Sequence, residues 1–179
     1  MFVKKRRYFP NPETHSIDGI VAMGDHLSRE TLLEAYSFGI FPWPHDDLPL
    51  LWYSPDPRGV LEFKDFHLPA SFKKFLRKTL STYEVSWNQA FHQVIYECAQ
   101  ARRKGQAGTW IHEPIRQAYL DFHRAGFAHS IEIWREQDLV GGLYGVYVGG
   151  VFAGESMFFR EPNMSKLALY LVVEKLKIS

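Results

Sequence analysis

This 179-residue sequence is short of several things, and each shortage closes off a class of protein. A single cysteine, Cys98, permits neither an internal disulfide nor a multi-cysteine metal site. No run reaches the roughly 18 apolar residues that a membrane helix needs. The start, Met1-Phe2-Val3-Lys4-Lys5-Arg6-Arg7, lacks the apolar stretch that follows the charges of a secretory signal, so the chain is expected in the cytoplasm. A formal net charge of +1 argues against coating nucleic acid through bulk positive charge. There is no internal repeat and no low-complexity tract.

Aromatic residues, by contrast, are abundant: five Trp, nine Tyr and fourteen Phe serve either as core or as a stacking surface. The near-neutral balance also conceals three basic groups. Lys4 to Arg7, then Lys73, Lys74, Arg77 and Lys78, then Arg102, Arg103 and Lys104 are either solvated surface or a track for a phosphate backbone.

Turn chemistry and periodicity divide the chain near residue 57. The first part predicts one helix over Ser28 to Phe38, capped by Ser28 and ended by Gly39. Proline-rich loops follow, in which Pro42, Pro44, Pro49, Pro55 and Pro57 stiffen irregular backbone carrying exposed rings suited to a flat ligand. From there the pattern is mixed α/β. A basic helix is predicted near Ala70 to Lys78, and a strand over Tyr83 to Ser86. An amphipathic helix capped by Asn88 buries Phe91, Val94, Ile95 and Cys98, and a further helix runs from Pro114 to Gly126. Three strands joined by short turns, Ser130 to Arg135, Leu139 to Val148 and Val151 to Phe159, predict an antiparallel meander. A helix from about Ser165 to Lys177 covers it.

Chemistry concentrates on few residues. Glu155 falls in a strand among Phe152, Ala153, Ser156, Met157 and Phe158, where an acid is costly unless it is paired or faces a cleft. A functional carboxylate and a structural one bridged to Lys166 or Arg160 are equally compatible with the pattern. Eight histidines include no pair at ligand spacing with a supporting carboxylate, so no metal site is expected. Neither Ser54 nor Ser156 sits in a nucleophile elbow. Gly141-Gly142-Leu143-Tyr144-Gly145 lies within a strand pattern and precedes no helix, which favours close backbone packing over a phosphate loop.

Several segments, taken in order, resemble the leucyl/phenylalanyl-tRNA–protein transferase family. They are Gly24-Asp25-His26-Leu27-Ser28, Tyr36 to Trp43, Trp52 to Arg58, Gly108-Thr109-Trp110-Ile111, His129 to Arg135, Leu139 to Gly145 and Gly154-Glu155-Ser156-Met157-Phe158. The resemblance implies an α+β protein: a small N-terminal lobe over 1–57 and, over 58–179, an N-acetyltransferase-like mixed α/β domain lacking its last strands. It implies transfer of Leu, Phe or Met from aminoacyl-tRNA to the α-amino group of a protein beginning with Lys or Arg, which marks that protein for degradation, without metal or coenzyme. Trp43 and Trp110 match the rings that sandwich the terminal adenine of the tRNA, with Tyr36 near them. Leu143, Phe152, Met157, Leu169 and Val172 would line the pocket for the donated side chain. Glu155 would attract and orient the acceptor amine, beside an acid and a glutamine in a strand after the last helix. The sequence stops at Ser179, before such a strand, so a non-catalytic binder of the tRNA acceptor end is a second expectation. Acyl-coenzyme A transfer is a third, opposed by the lack of a phosphate-cradling motif in Asn163-Met164-Ser165-Lys166-Leu167-Ala168.

Overall fold

The computed structural model describes residues 7–24, 26–45, 47–101 and 109–178. Lys4 to Arg6, Asp25, Arg102 to Lys104, Gly108 and Ser179, all invoked above, lie outside the described residues. The chain is α+β and packs as two units, each described by itself. The first comprises the described residues up to Gly59 together with residues 109–128 and Val146–Ala153; the second comprises Val60–Ala101, His129–Gly145 and the chain from Gly154 onward.

In the first unit a short helix α1 (Pro12–His15) leads into β1 (Ile20–Met23), and α2 (Arg29–Ser37) is followed by β2 (Phe41–Trp43) and β3 (Leu51–Tyr53). The Ser28 hydroxyl accepts the Thr31 N–H at 3.1 Å, as a helix N-cap should. At the other end Gly39, at φ 73°, lets Gly39 N–H reach Tyr36 O and Ile40 N–H reach Ala35 O. That is the left-handed turn that satisfies the last carbonyls of a helix. The proline-rich stretch departs from expectation: β1, β3 and β2 form an antiparallel sheet in that order, where the sequence suggested irregular loops. Three-residue strands leave no periodicity to read, and Pro42 obscures β2. Pro42 is tolerated because β2 is an edge strand of this sheet. Nor are all the rings exposed: Trp52 is buried, edge-on to Phe9, and its indole N–H donates to Gly24 O at 3.1 Å.

The helix α5 (Glu113–Arg124) ends like α2. Gly126 N–H reaches His123 O and Phe127 N–H reaches Phe122 O, while the Phe122 and Phe127 rings meet at 5.0 Å. Tyr36 of α2 stacks on Phe122, and its hydroxyl meets that of Tyr119 at 2.5 Å, so the two helices are joined by one aromatic cluster. Buried Glu34 ties the incoming chain to α2, its carboxylate accepting the N–H groups of Arg7, Tyr8 and Phe9 at 2.8, 2.8 and 3.0 Å.

The second unit holds α3 (Ala70–Thr79), β4 (Glu84–Trp87), α4 (Phe91–Gln100), most of the strands β5 (Ala128–Arg135), β6 (Asp138–Val148) and β7 (Val151–Phe159), whose residues Ala128 and Val146–Ala153 count with the first unit, and the helix α6 (Met164–Lys177). The sheet order is β4-β5-β6-β7, so the expected meander gains β4 at its edge. The expected buried face of α4, with Cys98 in it, is found. Asn88 is not its N-cap, however. It sits at φ 59°, its amide oxygen accepting Ser130 N–H at 2.9 Å, and the helix begins after Ala90, which has no capping side chain. A left-handed Asn that bonds the neighbouring strand resembles an N-cap in sequence, since both use a short polar side chain next to a chain reversal.

The glycine run of β6 works by close approach. A Cβ at Gly142 would meet Ile131 O at 2.9 Å, Phe158 Cε1 at 3.0 Å and Val94 Cγ2 at 3.1 Å; one at Gly141 would run into Met164 Cβ at the start of α6. Gly142 therefore faces α4 and Gly141 faces α6, which assigns the two faces of the sheet.

Candidate functional site

Two chemically distinct constellations stand out, one in each unit. The first is aromatic. Trp43 ends β2, followed by Pro44. Trp110 lies just before α5, in a turn where Thr109 Oγ1 accepts Ile111 N–H at 3.1 Å and the buried Ile111 anchors the backbone. The two indoles come together, with centroids 5.5 Å apart and planes within 15° of parallel. Trp43 is 40% exposed and Trp110 only 8%, so the pair offers one accessible plate backed by a fixed one. A base held between two rings needs them about 7 Å apart, two layers of carbon contact. The indoles here rest on each other and have to part for a base to enter. Tyr36 is held by Tyr119 and Phe122 of α5, the helix that follows Trp110.

The second constellation is on β7. Strand alternation puts Glu155 and Met157 on the face opposite Ser156 and Phe158. Phe158 is buried and faces Gly142, on the α4 side, so Glu155 and Met157 face the α6 side, where Gly141 meets Met164. Glu155 is half-buried and Met157 is 40% exposed. Neither partner suggested for a structural role is committed to it. Arg160 pairs with Glu97 at 2.6 Å, and Lys166 is exposed and forms no ion pair with a described residue. Leu143, two residues from Gly141, is buried on the same face as Glu155 and Met157. On α6, Val172 is buried and Leu169, three residues earlier, is half-buried beside it. Phe152 differs: its parity on β7 is opposite to that of Met157, and it belongs to the hairpin segment of the first unit. The strand alone does not bring it to the others.

Sequence reasoning passed over two buried acids, Glu34 described above and Glu132. Glu132 of β5 is fully buried, and its carboxylate accepts the hydroxyls of Ser86 and Ser130, each at 2.5 Å, while Trp134 Nε1–H donates to Ser86 Oγ at 2.8 Å. Polar residues two apart in an apolar strand, Ser130 and Glu132, are the signal that could have found it. Among the described residues no group of three His, Cys, Asp or Glu side chains is placed to hold a metal, and no helix is long and apolar enough to cross a membrane. His123 is engaged with Ala128 O at 2.8 Å and His129 with the Asn88 amide at 3.2 Å. The four cations of α3, Lys73, Lys74, Arg77 and Lys78, are exposed and form no ion pair with a described residue.

Comparison of the chain with known proteins identifies its family. Residues 60–179 match the family described as leucyl/phenylalanyl-tRNA protein transferase, and residues 25–56 match the N-terminal domain of the same family. A leucyl/phenylalanyl-tRNA–protein transferase of Oleidesulfovibrio alaskensis is 48% identical over 174 residues, covering 94% of this chain and 69% of that protein. The enzyme of the same name from Pseudoalteromonas atlantica is 48% identical over 177 residues, covering 98% and 74%. That from Myxococcus xanthus is 48% identical over 167, covering 93% and 70%. The chain belongs to the leucyl/phenylalanyl-tRNA–protein transferase family.

Proposed function

We propose that this protein transfers leucine, phenylalanine or methionine from aminoacyl-tRNA to the α-amino group of a protein beginning with Lys or Arg. Family membership across both matched segments carries the reading, and the stacked pair Trp43 and Trp110 supports it. In this reading the terminal adenine enters between the two indoles, with Tyr36 bracing α5 behind them. Stacking of this kind contributes roughly 1 to 3 kcal/mol per base. Leu143, Met157, Leu169 and Val172 take the donated side chain. The four-stranded sheet followed by α6 serves as an N-acetyltransferase-like frame.

The reaction needs little beyond placement. A neutral α-amine attacks the ester carbonyl, a C–N bond forms, and the C–O bond to the ribose breaks as the ribose hydroxyl leaves with a proton. An α-amino group with a pKa of about 7.7 to 8.0 is already partly neutral near pH 7. Glu155 attracts the cationic N-terminus and holds its nitrogen toward the ester, a role that depends on charge and position.

The direct test is transfer of labelled Phe from Phe-tRNA to a peptide beginning with Arg, with the same peptide N-acetylated as control. Transfer to the free peptide alone is expected. Absence of any transfer, with tight salt-sensitive binding of the tRNA retained, would replace the enzyme reading by that of an acceptor-end binder.

A further inference from the structure

The row of rings on the small sheet continues past the two tryptophans. Phe41 and Trp43 are two residues apart on β2 and share a face, and Tyr53 of β3 is paired opposite Phe41. Phe41 meets Trp43 edge-on at 6.3 Å and 84°, and stacks on Tyr53 at 6.3 Å and 29°. His45 extends the row, its ring 6.3 Å from that of Tyr53. Over Phe41 sits the Arg58 guanidinium, its carbon 4.3 Å from the ring centroid. Arg58 is exposed and forms no ion pair with a described residue, so its charge is held in place without being neutralised. Aromatic plates interleaved with an uncommitted cation are the composition that single-stranded nucleic acid binding uses.

From this we infer that Phe41 and Arg58 form a second nucleotide subsite, which takes the nucleotide immediately 5′ of the adenosine held at Trp43 and Trp110. The inference rests on the adenine reading of that tryptophan pair. The phosphate joining the two nucleotides meets Arg58, and the second base stacks on the Phe41–Arg58 step. Because Phe41 stands at 84° to Trp43, consecutive bases on the two plates are turned out of mutual stacking. The subsite therefore suits the unpaired 3′ end of an RNA and not a duplex.

Three probes carry the test on the full chain: adenosine, the dinucleotide cytidylyl-(3′→5′)-adenosine, and that dinucleotide with an abasic first residue, each titrated by calorimetry. The dinucleotide is expected to bind about 5- to 150-fold more tightly than adenosine. In Arg58→Gln that ratio collapses toward one, and the abasic probe in the unaltered protein keeps only part of the gain. Arg58 is on the surface, so its replacement leaves folding intact. Phe41→Leu, compared at matched melting temperature, supplies the ring's share. Adenosine binding that survives Trp110→Ala, or no adenosine binding at all, would overturn the adenine reading and the subsite with it. Adenosine binding that depends on Trp110, with no gain from the dinucleotide or a gain kept in full by Arg58→Gln, would overturn the subsite and leave the adenine reading standing.

Discussion

The proposed role of Glu155, orienting the acceptor amine, rests on a single charge. It lies half-buried beside Met157 on the α6 face of β7, with Arg160 engaged by Glu97. Glu155→Gln keeps the shape and removes the charge. Hydrogen bonds to charged groups are worth about 1.5 to 3 kcal/mol, so kcat/KM for an Arg-initiated acceptor is expected to fall about 10- to 150-fold. Binding of the tRNA donor should hold. A carboxylate next to an ammonium favours the charged form, so the bound amine's pKa lies above its free value in the unaltered protein. The rise of transfer with pH should therefore move to lower pH in Glu155→Gln. Steady-state kinetics against acceptor concentration, repeated from pH 6 to 9, reads both effects; an unchanged profile would make Glu155 structural.

At the scale of elements, the close approach of β6 and α6 fixes the face on which Glu155 stands. Gly141→Ala would drive its new methyl into Met164 Cβ, with Met164 C at 3.3 Å and Cα at 3.4 Å behind it. Backbone on the far side cannot rotate away as a side-chain tip would, so a loss of about 1 to 3 kcal/mol is expected, read as a lower urea midpoint. A melting curve equal to that of the parent would mean that α6 can slide on the sheet. This close packing was visible in the sequence, since a glycine run that lies inside a strand and precedes no helix favours it. The meander, the inward face of α4 and the caps at Ser28, Gly39 and Gly126 were legible for the same kind of reason: each is a local rule repeated over enough residues. The small sheet was not, because strands of three residues give no period and Pro42 argues against one. Nor was the Glu132 network, whose members Ser86 and Glu132 are 46 residues apart and meet only through the β4–β5 register. At the candidate site, Trp43, Trp110 and Glu155 were proposed from sequence, but the contact of the two indoles and the seat of Arg58 on Phe41 arise only from pairing across β2 and β3 and from the turn before α5.

Over the whole chain, the order in space does not follow the order in sequence. The first unit borrows residues 109–128 and Val146–Ala153 from beyond the segment that carries its sheet, and the family's N-terminal domain matches residues 25–56 alone. Its cohesion depends on that borrowing. Tyr36 finds its hydrogen bond and its ring contact on Tyr119 and Phe122, and Trp43 finds its partner in Trp110. A fragment covering 1–59 keeps β1, β2 and β3 but loses every one of these partners. A segment of that length is near the lower limit for burying enough surface to fold unaided. We expect it to show no cooperative thermal transition and no near-ultraviolet signal from ordered tryptophan. Joining residues 109–128 to it through a flexible linker should restore part of both, because α5 then supplies the missing half of the aromatic cluster. A sharp transition in the 1–59 fragment alone would mean that the small sheet with α2 is self-sufficient, and that α5 is attached to it and does not complete it.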